Sequence, residues 1–210
     1  MSAAGPTRRV IGLTGGVATG KSTVAGLLRA RGVPVIDADQ VSREVTAPGS
    51  PGLAEVVAAF GPSVLTPEGT LDRKALGAIV FADPTARARL EAISHPRIGA
   101  AIAAWIGAQQ GPCVVEAALM VETGTWRRYD DLVVVSCPPD LQRRRLMARE
   151  AIDGAEADRR LAAQLPLVQK EALASVLVWN DGDAGQLEAA VDAAWARLLA
   201  APPRGPSSPQ

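Results

Sequence analysis

The chain has 210 residues, of which 48% are hydrophobic and only 3% aromatic, so aliphatic side chains must fill most of one sizeable core. The 22 basic and 22 acidic residues cancel, which excludes a net positive field for nucleic acid and leaves only a local basic patch open. No signal peptide is visible, and no apolar run approaches the roughly 20 residues that a membrane span needs. Cys113 and Cys137 have no metal-binding spacing, so we expect reduced thiols in a cytoplasmic protein.

The first elements in the chain predict a βαβ unit. Val10–Leu13 is a short apolar run that ends in glycines, which is typical of a buried parallel strand. Residues 22–31 carry apolar side chains at helical spacing, and Val33–Ile36 forms a second strand with Asp37 and Asp39 at its end. This order of elements predicts a parallel sheet with a right-handed crossover.

The rest of the chain alternates between helical stretches and further strands. Residues 41–110 are rich in alanine and interrupted by proline–glycine turns, which predicts helical insertions over the sheet edge. Strands are predicted at Cys113–Glu116, Leu132–Ser136 and Val176–Trp179, and a basic helix at about 139–150. The last helix is predicted to bury four side chains at helical spacing, which are Leu187, Val191, Trp195 and Leu198.

The segment from Gly15 to Ser22 fits the phosphate-binding pattern GxxxxGK[ST] between a strand and a helix. Glycines allow the backbone to curl until successive N–H groups point at an anion, and the following helix adds the positive end of its dipole. Lys21 can then reach the β- and γ-phosphates, and the Ser22 hydroxyl can ligate Mg²⁺. The predicted nucleotide-binding residues of this loop are Gly15, Gly16, Val17, Ala18, Thr19, Gly20, Lys21, Ser22 and Thr23.

The loop does not identify the reaction, but the chain length and the neighbouring residues reduce the number of possible protein classes. The chain is too short for most motor ATPases, and no guanine-reading tetrapeptide follows a strand, so a small-molecule kinase is favoured. Asp37 and Asp39 follow the second strand, where ligands bind in open α/β sheets. If this stretch is strand-like, both carboxylates point to one face, and one of them can take a proton from an acceptor hydroxyl. The alternative is that they cap a turn.

Two further features have a plain structural interpretation beside a functional one. From the sequence alone, the single histidine, His95, is more often a surface residue at a helix end than a catalytic one. Four arginines resemble a nucleic-acid patch, although such a run is more often a solvated helix face. These arginines are Arg143, Arg144, Arg145 and Arg149.

Taken in order, these motifs resemble those of bacterial dephospho-coenzyme A kinases from about Val10 to Leu199. The stretches that carry the resemblance are IGLTGGVATGKST (11–23), GVPVIDADQVSREV (32–45), PGSPGL (48–53), FGPSVL (60–65), LDRKALGAIVF (71–81), SHPRI (94–98), LMVETG (119–124), RLMARE (145–150) and NDGD (180–183). The chain departs from the family pattern at Glu116-Ala117-Ala118, where Asp-x-Pro is common. It departs again at Glu171, often an arginine, and at Val178-Trp179, where Ile-Asp is usual.

The resemblance implies an α/β fold: a P-loop NTPase three-layer sandwich with a parallel sheet, a helical acceptor-binding subdomain and a helical lid. It implies a single domain over residues 8–200. Its core would comprise about 8–40, 112–138 and 174–200, its acceptor-binding insert about 41–110 and its lid about 139–172, followed by a disordered tail at 201–210.

The implied activity is transfer of the γ-phosphate of ATP, with Mg²⁺ as cofactor, to the ribose 3′-hydroxyl of dephospho-CoA. That reaction completes coenzyme A. The partners are then two small molecules, ATP and dephospho-CoA, with no nucleic acid and no membrane, and the protein is expected to be a monomer or a weak homo-oligomer.

The resemblance also assigns roles to individual residues. Asp39 is implied as the catalytic base, with Lys21 and Arg149 as further catalytic residues. Asn180 is implied near the adenine, and Ser22 and Glu116 near the metal. The implied acceptor-binding residues are Asp39, Arg43, His95, Arg97 and Glu122.

Three other hypotheses stay open at this point. One is a kinase for another nucleoside or small metabolite, which acceptor competition distinguishes. Another is a nucleotide-dependent switch that binds a partner protein, which requires slow hydrolysis and no stimulation by a small acceptor. Nucleic-acid binding rests only on the arginine run, and neutral charge and the lack of an aromatic-rich strand oppose it.

Overall fold

The computed structural model describes residues 8–205 and separates them into two compact units. The first unit comprises residues 8–36 and 109–205, and the second comprises residues 37–108. Part of the predicted disordered tail, residues 206–210, lies outside the described residues, while residues 202–205 have no regular secondary structure.

In chain order, the strands are β1 (Val10–Gly15), β2 (Val35–Asp37), β3 (Cys113–Glu116), β4 (Asp131–Ser136) and β5 (Val176–Trp179). The helices are α1 (Lys21–Ala30), α2 (Ala38–Val45), α3 (Pro51–Phe60), α4 (Arg73–Ala82), α5 (Pro84–Gly107), α6 (Pro139–Glu150), α7 (Gly154–Ala162), α8 (Leu167–Glu171) and α9 (Ala184–Ala200). Short 3₁₀ turns occur at Pro62–Val64 and Thr125–Arg128.

The strands form one five-stranded sheet in the order β2-β3-β1-β4-β5. The pairs β1–β3, β1–β4 and β4–β5 are parallel, with Leu13 opposite Glu116 and Gly15 opposite Val135. Because β1 lies in the middle, the loop after it emerges between the carboxyl ends of its two neighbours, where open α/β sheets bind ligands. The predicted α/β fold with a parallel sheet is confirmed.

The core of the first unit packs α1 and α9 against the sheet, and the sequence explains which helix face is buried. Leu187, Val191 and Leu198 of α9 are buried as predicted, but Trp195 is only partly buried. Ala194 lies in the buried stripe instead, because a spacing of four, three and four residues keeps one face toward the sheet.

The second unit is helical, and short polar side chains determine where its helices begin. Asp37 caps α2, since its carboxylate accepts from the backbone N–H groups of Asp39 and Gln40. The prediction that Asp37 and Asp39 both lie on a strand-like stretch is wrong: Asp37 ends β2, whereas Asp39 is in the first turn of α2. The carboxylate of Asp37 therefore serves the local backbone, as the capping alternative proposed. Ser50, Asp72 and Asp83 cap the three following helices in the same way.

Pro96 lies inside α5, where it cannot donate a backbone hydrogen bond. Side chains bond nearby carbonyl groups of the same helix: Ser94 Oγ donates to Leu90 O at 2.8 Å, and Arg97 donates to Ile93 O at 2.7 Å. His95 lies near the middle of this long helix, and its side chain is exposed. Its predicted position at a helix end is therefore wrong.

Cys113 and Cys137 are both free thiols and both buried. Burial raises the pKa of each thiol, most strongly through loss of solvation of the thiolate. Among residues 8–205, the helices are too short or too polar to cross a bilayer.

One buried ion pair joins three elements of the first unit. Arg9 and Asp131 approach to 2.6 Å, with 8% and 3% of their side chains exposed. The Arg9 guanidinium also donates to Ala201 O at 2.8 Å and to Leu198 O, at the end of α9. Arg9 thus ties the start of β1 and the start of β4 to the last helix.

We expect Asp131→Ala to lower the free energy of unfolding by about 3–5 kcal/mol, because it leaves the Arg9 charge buried without a counter-charge. Urea denaturation followed by circular dichroism measures the loss. Asp192→Ala is the matched control, since it breaks the exposed pair of Arg31 and Asp192 on the same unit. This control should leave the midpoint nearly unchanged. Equal midpoints for both variants would contradict a stabilising role for the buried pair.

Candidate active site

The loop between β1 and α1 holds its backbone in a conformation suited to an anion. Gly20 has φ 93° and Ala18 has φ 61°, both in the left-handed region. Thr19, which is buried, donates its N–H and hydroxyl to Gly16 O at 3.3 and 2.9 Å. Among the described residues, the N–H groups of Ala18, Gly20 and Lys21 donate to no other protein group. These unpaired donors at a helix N-terminus form a site for phosphate oxygens.

Lys21 lies at the start of α1 and is engaged by a carboxylate of β3. Its Nζ is 2.6 Å from Glu116 Oε1, with 12% and 2% of the two side chains exposed. The other carboxylate oxygen is 3.5 Å from the half-exposed guanidinium of Arg29. Because Glu116 has a second cation beside it, its buried charge stays compensated when Lys21 moves toward a phosphate.

Asn180 bonds the backbone of the loop with its side chain. Its Nδ2 donates to Thr19 O at 2.8 Å, and Arg145 donates to Asn180 O at 2.7 Å. A Cβ on Gly20 would lie 2.0 Å from Asn180 Nδ2, so this position requires glycine both for space and for its positive φ. The residue that the resemblance implies near the adenine is thus bonded to the backbone of the phosphate loop.

The loop lines an open cavity of about 740 Å³ within the first unit. Arg145, Arg149, Gln164 and Asn180 contribute to its walls. Arg149 is exposed and lies 2.6 Å from Glu150, a weak pairing that leaves its guanidinium able to turn into the cavity. A volume of this size fits a nucleotide-sized ligand.

A buried lysine supports the first residue of the loop. Lys170 of α8 is fully buried, and its Nζ is 2.7 Å from Glu122 Oε1. The same nitrogen donates to Ala118 O at 3.2 Å and Gly15 O at 3.4 Å. Glu122, which was predicted to bind the acceptor, has this oxygen engaged by Lys170 and by the Leu165 N–H. The structure thus gives Glu122 a part in supporting the loop.

The other predicted acceptor-binding residues belong to the second unit. Asp39 is exposed in the first turn of α2, and Arg43 is exposed in its last turn. Arg97 is paired with Glu55 as well as with its own helix. Arg73, which the sequence did not single out, donates to Thr46 Oγ1 at 2.8 Å, and burial and the charge of Arg43 lower its guanidinium pKa.

The predicted metal ligands offer a sparse set of oxygen atoms. In the described part of the chain, three or more histidine, cysteine or acidic side chains never converge on a metal site. The Ser22 hydroxyl and one carboxylate, Glu116, fit Mg²⁺, because this ion commonly binds one or two protein oxygens together with substrate phosphates and water.

Several residues of this site carry no motif of their own. Arg145 belongs to the arginine run, but only the fold shows that it points to Asn180, while Arg143 pairs with Asp158 at 2.6 Å. Two arginines of the run therefore form contacts within the protein. Gln142 and Gln164 both bond Val17, and as neutral amides they gave no signal in the sequence.

We expect Asn180→Asp to weaken Mg–ATP binding by about tenfold or more, because the carboxylate cannot donate to Thr19 O and adds negative charge beside the loop. Isothermal titration calorimetry measures this affinity. Asp181→Asn changes an exposed neighbour outside the cavity lining and should bind as the parent does. Parent-like affinity in Asn180→Asp would show that this bond does not position the loop.

Comparison with known proteins gives a consistent result. The dephospho-CoA kinase family model matches residues 9–186. A dephospho-CoA kinase of Anaeromyxobacter dehalogenans is 54% identical over 196 residues, covering 91% of this chain and 91% of that relative. A dephospho-CoA kinase of Geobacter sulfurreducens is 45% identical over 192 residues, covering 90% and 98%. The crystal structure of TT1252 from Thermus thermophilus matches with a TM-score of 0.79 and 33% identity, covering 91% and 98%. With a family model that spans most of its length and a loop built for phosphate, the chain belongs to the dephospho-CoA kinase family.

Proposed function

We propose that this protein transfers the γ-phosphate of ATP to the ribose 3′-hydroxyl of dephospho-CoA, the last step of coenzyme A synthesis. The observation that carries the proposal is the phosphate loop, whose unpaired N–H groups and Lys21 line the nucleotide-sized cavity of a chain that belongs to this family. We further propose that the enzyme acts in the cytoplasm as a monomer or weak homo-oligomer, with no nucleic acid or membrane partner.

The first unit would bind the triphosphate through its backbone and its cations. The N–H groups of Ala18, Gly20 and Lys21 would surround phosphate oxygens, and the Lys21 ammonium would leave Glu116 for the transferred group. Such positioning and charge neutralisation are the main requirements of phosphoryl transfer, which needs little covalent chemistry from the protein.

Magnesium enters the proposal as a cofactor held by the first unit. The Ser22 hydroxyl and the Glu116 carboxylate would hold the ion together with phosphate oxygens and water. The ion would neutralise charge that develops on the bridging oxygens.

The second unit would supply the acceptor site and the base. Asp39 is the proposed base, and it lies exposed on the first turn of α2. Arg43, His95 and Arg97 are proposed to contact the acceptor. Arg73, which has a positive neighbour in Arg43, extends this basic surface for an acceptor that carries a diphosphate.

A coupled ADP-release assay with Mg–ATP and dephospho-CoA tests the function, with mass spectrometry of the product as confirmation. We expect ADP release to depend on dephospho-CoA, and Lys21→Ala to abolish it. Adenosine serves as the competing acceptor. A clear preference for adenosine would favour a kinase of another acceptor, and slow hydrolysis that no small acceptor stimulates would favour a nucleotide-dependent switch.

We expect Asp39→Asn to lower kcat by about 10²–10⁴-fold, because the amide cannot take the hydroxyl proton. Its affinity for Mg–ATP, measured by calorimetry, should stay within about threefold of the parent. Asp37→Asn is the matched control, since asparagine caps a helix about as well as aspartate and should preserve turnover. Normal turnover in Asp39→Asn would exclude this residue as the base.

We expect Arg149→Ala to lower kcat/KM by about 10²–10³-fold while the melting temperature stays that of the parent, because the exposed guanidinium stabilises charge rather than packing. Arg144→Ala removes an exposed arginine from the same helix and should change neither quantity. Thermal melts and initial rates measure both variants. An unfolded Arg149→Ala would indicate a structural role instead.

A further inference from the structure

Two glutamine side chains hold the peptide groups on either side of Val17, in the middle of the phosphate loop. Gln142 Nε2 donates to Val17 O at 2.8 Å. The Val17 N–H donates to Gln164 Oε1 at 2.9 Å. Gln142 is 8% exposed within α6, whereas Gln164 follows α7 and lines the cavity. The loop is therefore bonded from both ends of the helical arm formed by residues 139–165.

The bond from Gln142 determines where the next N–H points. In a trans peptide, the C=O and the N–H face opposite sides, so a Val17 carbonyl held toward Gln142 turns the Ala18 N–H away from it. That N–H donates to no other group among residues 8–205. Ala18 also has φ 61°, a conformation that residues other than glycine adopt only where their surroundings enforce it.

Gly16 provides the space that this arrangement needs. A Cβ on Gly16 would lie 2.4 Å from Gln142 Nε2, and the φ of Gly16 is outside the left-handed region. Glycine therefore allows the close approach of this amide, which any Cβ at position 16 would displace, and it is not needed here for backbone conformation. The phosphate-loop pattern itself accepts any residue at this position, so glycine here accompanies the glutamine beside the loop and not the motif.

We propose that Gln142 and Gln164 are positioning residues for the phosphate loop, which they hold so that the Ala18 N–H is directed at the triphosphate before it binds. The inference rests on the proposed function, since it assigns these amides to the ATP site of that reaction. Neither residue touches the reacting atoms in this role. Gln142 acts through the Val17 carbonyl and Gln164 through the Val17 N–H.

Calorimetry of Mg–ATP binding tests the proposal, with Gln142→Met as the main variant because it keeps the length of the side chain and removes the amide that donates to Val17 O. We expect the Kd for Mg–ATP to rise about tenfold, because one hydrogen bond no longer holds the loop in its binding conformation. The KM for dephospho-CoA should stay within error of the parent. Gln164→Met should shift the Kd in the same direction.

A double-mutant cycle separates positioning from simple packing. Gly16→Ala should weaken Mg–ATP binding by displacing the Gln142 amide, and Gln142→Ala should weaken it by removing that amide. Since both changes break the same bond, the double variant should bind no worse than either single variant. Additive losses, or parent-like affinity in Gln142→Met, would overturn the proposal. So would an equal loss of ATP and dephospho-CoA affinity in Gln142→Met.

The positioning role and the proposed function are tested by different measurements. Binding of Mg–ATP is measured without an acceptor, so the Kd comparison stands even if the parent does not phosphorylate dephospho-CoA. Conversely, normal transfer to dephospho-CoA by the parent, together with unchanged ATP affinity in Gln142→Met, would keep the function and reject the positioning role.

Discussion

The first unit depends on a loop whose N–H groups must stay unpaired while its carbonyl groups are held. Backbone donors without a protein partner do not stabilise the loop, so it needs bonds from outside to keep this conformation before a ligand arrives. Three side chains supply them, all to carbonyl oxygens: Lys170 to Gly15, Gln142 to Val17 and Asn180 to Thr19. Satisfying one edge of each peptide leaves the opposite edge for phosphate oxygens.

Two buried ion pairs lie near the loop, and they differ in how their charges are compensated. Lys170 and Glu122 form an ion pair in which the lysine is fully buried. Removing either residue would leave the charge of the other without compensation. Lys21 and Glu116 also form a close pair, but Glu116 has a second cation in Arg29. The Lys170–Glu122 pair is therefore suited to remain intact. The Lys21–Glu116 pair is suited to separate when Lys21 binds a phosphate of the ligand. Two ion pairs of similar length thus have different roles.

The sequence predicted the fold well where local pattern and packing agree. The bounds of β3 and β5 and the basic helix α6 match their predictions, because short apolar runs and a proline start have few alternative structures. It failed for the Asp37–Asp39 stretch, where an N-cap converts the end of a strand into the start of a helix within one residue. It also failed for Trp195, because burial on a helix is decided by the partner surface and not by the size of the side chain.

The sequence by itself determined the phosphate loop, the parallel sheet around it and the family, because these depend on local backbone requirements and on ordered motifs along the chain. Only the tertiary structure decided what surrounds the loop. Gln142, Gln164, Lys170 and Asn180 come from segments more than 100 residues away in the chain from the loop atoms they bond. Amide and ammonium groups of this kind have no local signature, since their role is set by which carbonyl or N–H the fold brings within hydrogen-bonding distance.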